Sequence, residues 1–72
     1  MDLRELRQRV GLSIVDVSRI LLCSEGSIRN WEKGRTMPRM ELWQVFKLRD
    51  VYQCTEEELI QAVKESMQKG NE

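Results

Sequence analysis

A chain of 72 residues fits one small domain whose core is too limited to enclose an elaborate active site. With 33% charged and 40% hydrophobic residues it reads as a water-soluble globular protein; no apolar run approaches the roughly 18 residues that span a bilayer, and Asp2-Leu3-Arg4-Glu5 does not read as a signal peptide, so the cytoplasm is the expected location. The 12 basic and 12 acidic residues cancel, but through Arg39 eight basic residues face five acidic ones and beyond it four face seven, a +3/−3 split that suits a protein pointing one face at nucleic acid.

Leu3, Leu6 and Val10 recur at helical spacing and predict a first helix ending at Gly11. Ser13 with Asp16 three residues on is a capping box, in which hydroxyl and carboxylate each accept a backbone N–H left unpaired at a helix start. A second helix is therefore predicted over about 14–21, with Val17, Ile20 and Leu21 inward. Ser24 offers another cap after a turn of about three residues, and a third helix follows over about 25–33. Steps of 100° group Ser24, Ile28, Trp31 and Glu32 on one side and Gly26, Arg29, Asn30 and Lys33 on the other. Gly34 supplies the positive φ that ends the helix, and Arg35-Thr36-Met37-Pro38 leads away.

Met40 to Tyr52 reads as a fourth helix after the Pro38 break, with Leu42, Val45, Phe46, Leu48 and Tyr52 on one arc and Met40, Trp43 and Val51 outside it. Thr55-Glu56-Glu57-Glu58 is a further capping box and opens a fifth helix with Leu59, Ile60, Val63 and Met67 inward. Residues 1–67 thus form the expected domain, an all-α compact bundle of five helices, and the tail 68–72, lacking an apolar anchor, is expected to fray. Two cysteines, Cys23 and Cys54, come with no CxxC pair and no histidine. Buried reduced thiols are expected, and no metal or other cofactor.

Two capped helices joined by a very short turn are the signature of a helix-turn-helix, which lays its second helix in the DNA major groove. The run Leu12-Ser13, Val17-Ser18, Leu21, Ser24, Ile28, Trp31-Glu32-Lys33-Gly34-Arg35 with Pro38 resembles the Xre/Cro-type helix-turn-helix of phage repressors and bacterial regulators. The likeness extends through Leu3, Leu6, Arg7 and Gly11 upstream and Leu42, Val45-Phe46, Leu48 and Leu59 downstream. It implies a phage-repressor-like fold, a double-stranded DNA partner, and an ion pair between Arg7 and Glu32 that locks the first helix to the third. Ile14, Val15, Ile20, Leu22 and Trp43 lie at positions usually polar or small in this family, and two of these departures touch the motif directly. Ile14 stands where a phosphate-gripping Gln is common, and Leu22 stands where the turn usually has Gly.

If the third helix enters the major groove, Glu25, Gly26, Ser27, Arg29 and Asn30 are the candidate base readers. Asn30 suits bidentate contact with adenine and Arg29 suits guanine or a phosphate. Glu25 either accepts from cytosine or serves only the helix dipole, while Gly26 either admits a close surface or is a cheaply tolerated first-turn residue. Ser13, Ser24, Lys33, Arg35, Thr36 and Arg39 are the candidate phosphate contacts, which position rather than specify. Trp31 is assigned to the core. Met40, Trp43 and Val51, with a surplus of apolar surface elsewhere, point to a homodimer through the fourth and fifth helices. The rival reading is a protein-interaction module, or an antitoxin-like protein that binds a second protein partner as well as DNA; nothing is equipped for catalysis.

Overall fold

A computed structural model describes residues 1–70. Five helices follow one another: α1 (Leu3–Arg9), α2 (Ile14–Leu21), α3 (Glu25–Lys33), α4 (Leu42–Val51) and α5 (Glu56–Gly70), with no strand among the described residues. The radius of gyration of 10.8 Å is close to the roughly 11 Å expected of a folded chain this long.

Each helix starts where a side chain can satisfy its first amides. Asp2 caps α1 by accepting from Glu5 N–H at 2.9 Å while Glu5 accepts from Asp2 N–H. Ser13 and Asp16 exchange the same bonds at α2, and Thr55 and Glu58 at α5. At α3, Ser24 Oγ accepts the Ser27 N–H at 3.1 Å. The fourth helix starts later than Met40: Gln44 Oε1 accepts the Glu41 N–H at 2.7 Å, making Glu41 the cap and leaving Pro38 to Met40 outside the helix.

Leu3, Leu6, Val17, Leu21, Ile28, Leu48, Tyr52, Leu59 and Ala62 are the core. Around it α2 packs on α3 and α4, and α5 lies against α1 and α3. Two inward assignments need correction on α4 and one on α5. Leu42 is 71% exposed, Phe46 42% and Ile60 56%, whereas Val51 and Met40, expected outside, pack against the core. On α5 the buried stripe is Leu59, Ala62 and Ser66, to which Ile60 stands about 100° off.

The sequence reading ends the ordered domain at Met67, yet α5 continues to Gly70. Its last turns are held to the other end of the chain: Ser66 Oγ accepts the Leu3 N–H at 3.1 Å, Lys69 pairs with the buried Asp2, and Met1 N bonds Glu65 at 2.9 Å. Gly34 and Gly70 also meet backbone to backbone, where a Cβ on either would overlap the other. Asn71 and Glu72, the rest of the expected tail, lie outside the described residues.

The two cysteines are free and half-buried rather than fully buried. Burial raises both thiol pKa values, and Glu58 adds to the rise at Cys54, so both favour the neutral, unreactive form.

Candidate nucleic-acid interface

Three buried anchors orient α3. Ile28 is 2% exposed and plugs the helix into the core. Glu32 accepts from Arg7 Nε at 2.7 Å and Nη2 at 3.0 Å, and Arg7 Nη1 donates to the Leu12 carbonyl at 3.0 Å, so α1, the α1–α2 turn and α3 share one two-pronged ion pair. The hydrogen bonds to Glu32 raise the Arg7 guanidinium above its ordinary pKa, outweighing the burial that would lower it. Finally, Gly34 ends α3 in the left-handed region at φ 72°, and its N–H returns to the Asn30 and Trp31 carbonyls.

With the inner side so occupied, the outer side is polar and uncovered. Gly26, Arg29 and Lys33 are exposed; Glu25, Ser27 and Asn30 are half-buried. Arg29 Nη2 donates to Glu25 Oε1 at 3.2 Å across one helical turn, and the Ser24 and Ser27 hydroxyls bond at 2.9 Å. Both pairs are solvent-exposed and cheaply exchanged for contacts to a ligand. A Cβ built on Gly26 meets nothing nearer than Ser24 Oγ at 3.9 Å, so no part of the protein itself requires glycine there.

Clefts flank α3 on both sides. One, about 290 Å³, is lined by Arg4, Arg7, Ile14, Arg29, Glu32 and Lys33; the other, about 550 Å³, by Ser27, Trp31, Thr36, Met37 and Arg39. Of the candidate base readers, Arg29 edges the first cleft and Ser27 the second, with Gly26 and Asn30 between them around the helix. Lys33 edges the first cleft, Thr36 and Arg39 edge the second, and Arg35 is exposed just beyond the helix end. Ser13 and Ser24 spend their hydroxyls on the caps of α2 and α3, although both remain exposed. Trp31 is half-buried, touching the core and the second cleft at once.

Arg4 and Met37 are additions to the candidate set. Arg4 precedes Arg7 by three residues on the same helix, so it shares a face with the residue paired to α3, a spacing that contains the signal. Met37, 56% exposed, has no periodicity to announce it because it lies in the loop after α3.

Among the described residues no group of three or more His, Cys, Asp or Glu is placed to hold a metal, and no helix is long and apolar enough to cross a membrane. A family model described as a helix-turn-helix domain matches residues 2–61, spanning α1 to the first turns of α5. No curated protein and no solved structure matches the chain.

Proposed function

Since the chain belongs to the helix-turn-helix domain family, a family of Xre/Cro-like domains, we propose that it is a sequence-specific DNA-binding transcriptional regulator that reads the major groove with α3. The observation that carries this reading is the outer face of α3, polar and uncovered between two clefts that both carry cations. Asn30 reads a base edge, Arg29 and Glu25 separate from each other to read or reject their neighbours, and Gly26 lets the backbone come close. Lys33, Arg35, Thr36 and Arg39 fix the register on the phosphates, with the exposed amides and hydroxyls at Ser13 and Ser24. The protein acts by occupancy rather than catalysis, in the cytoplasm on nucleoid DNA.

Zero net charge makes this dependence on local charge testable. Titration against random-sequence duplex at rising salt should show binding that falls steeply, with a log–log slope of about −0.9 per neutralised phosphate. Absence of binding at low salt overturns the proposal. On a site selected from a randomised pool, Asn30→Ala should cost about 1–3 kcal/mol and relax the preference at one base pair.

The functional unit is a homodimer, with half-sites about 34 Å apart. Of the three residues expected at its interface, Trp43 is 46% exposed, while Met40 and Val51 pack on the core; the uncovered apolar face of α4 is instead Leu42, Trp43 and Phe46. Sedimentation of the wild type as a pure monomer at high micromolar concentration removes the dimer. The same face favours one rival: an interaction module or antitoxin-like protein would bury it against a different chain and bind random duplex weakly at every salt concentration.

A further inference from the structure

We infer that the cleft between α1 and α3 is a seat for a phosphodiester group of the DNA backbone, and that Arg4 is the residue that defines it. The inference rests on the DNA-binding reading above and adds a contact from α1, outside the helix-turn-helix itself.

The cleft's charge is the first ground. Of its six lining residues, Arg7 and Glu32 neutralise each other, and three of the Arg7 nitrogens are already committed. That leaves Arg4, Arg29 and Lys33, three cations converging from two helices on about 290 Å³. Among the described residues neither Arg4 nor Lys33 has an ion-pair partner, and Arg29 is engaged only by the half-buried Glu25. Like charges gathered with only that one counter-charge repel one another, so an anion bound among them is favoured by all three.

The second ground is position. Arg29 and Lys33 belong at once to the cleft and to the outer face of α3, so an anion seated there adjoins whatever that face reads. On a duplex the group available beside a base edge is a backbone phosphate. Ile14, the remaining wall, offers no side-chain donor, so from the α1–α2 side Arg4 supplies the one guanidinium not already ion-paired within the fold. Arg4 would thereby set the depth and tilt at which α3 enters the groove.

The test compares wild type, Arg4→Ala, Arg4→Lys and Lys64→Ala on one random-sequence duplex across a salt series. Lys64 is an exposed cation of α5 that lines neither cleft, and its loss changes net charge as much as the loss of Arg4 does. Arg4→Ala should make the slope of log K against log salt shallower by about 0.9 and weaken binding on the order of tenfold at low salt. Arg4→Lys should keep most of the slope, and Lys64→Ala should match wild type. Thermal midpoints should agree across the set, because Arg4 and Lys64 are both exposed. If wild type binds and Arg4→Ala behaves like Lys64→Ala, the phosphate seat is wrong while the DNA-binding reading stands. If wild type itself does not bind, both fall.

Discussion

Leu22 sits at φ 55°, ψ 45° with 79% of its surface exposed, joining α2 to α3 in a conformation that its Cβ resists. For a non-glycine residue that conformation costs about 1–2 kcal/mol, part of which the lower chain entropy of leucine offsets, and its side chain recovers little by burial. Leu22→Gly should therefore raise stability by up to about 1 kcal/mol, read as a thermal midpoint higher by a few degrees. Gly26 presents the opposite experiment. Open space surrounds its missing Cβ, so Gly26→Ala should stabilise the isolated fold by up to about 1 kcal/mol in chemical denaturation. If α3 approaches a duplex closely, the same change should weaken binding. Stability and affinity moving in opposite directions would place the constraint in the ligand rather than in the fold.

At the scale of elements, α1 and α3 are joined by a pair whose side chains are only 10% and 7% exposed. Removing one partner strands the other charge out of water, so Arg7→Ala should destabilise by on the order of 3 kcal/mol, and the double change Arg7→Met with Glu32→Leu should recover much of that. Urea denaturation of the three variants measures both effects. The caps respond to acid. Burial alone would raise the Asp2 carboxyl, but hydrogen bonds from Lys69 and the Glu5 amide outweigh it and hold the pKa below its ordinary value; Ser13 lowers Asp16, and Thr55 lowers Glu58, in the same way. A carboxyl depressed in the folded state contributes stability above its unfolded pKa and loses it as pH falls through the folded one. The thermal midpoint should thus be flat near neutrality and decline below about pH 4.

These same elements separate what the sequence carries from what it leaves to packing. Capping boxes at Ser13/Asp16 and Thr55/Glu58 are local chemistry, three residues across, and the helices start beside them. The polar side of α3 is equally legible, because its apolar residues occupy a single arc. The fourth helix is different. Leu42, Trp43, Val45, Phe46, Leu48 and Val51 surround most of its axis, so no arc stands out, and the face turned inward is chosen by α2, to whose Leu21 carbonyl Gln44 Nε2 donates at 2.7 Å. Arg4 was hidden for a related reason: its place beside Lys33 comes from tertiary packing of α1 on α3, although its register with Arg7 hints at it.

Across the whole molecule, the end of α5 holds the chain start and abuts the cap of α3 through Gly34 and Gly70. Truncation after Met67 should lower the thermal midpoint, since it leaves buried Asp2 without Lys69 and opens the seat under Gly34. Gly34→Ala should be worse than Gly26→Ala is favourable, because the added methyl meets both an unsuitable φ of 72° and the Ser66 carbonyl. Leu42→Glu, at a position 71% exposed, should leave the melt nearly unchanged while shifting sedimentation toward monomer if a second copy covers that face.

The amide of Gln44 has a mechanical consequence. It rivets α4 to the final carbonyl of α2, one residue before the bend from which α3 departs. A surface covering Trp43 and Phe46 would therefore rest on a helix bonded to the last residue of α2, next to the turn that leads into α3.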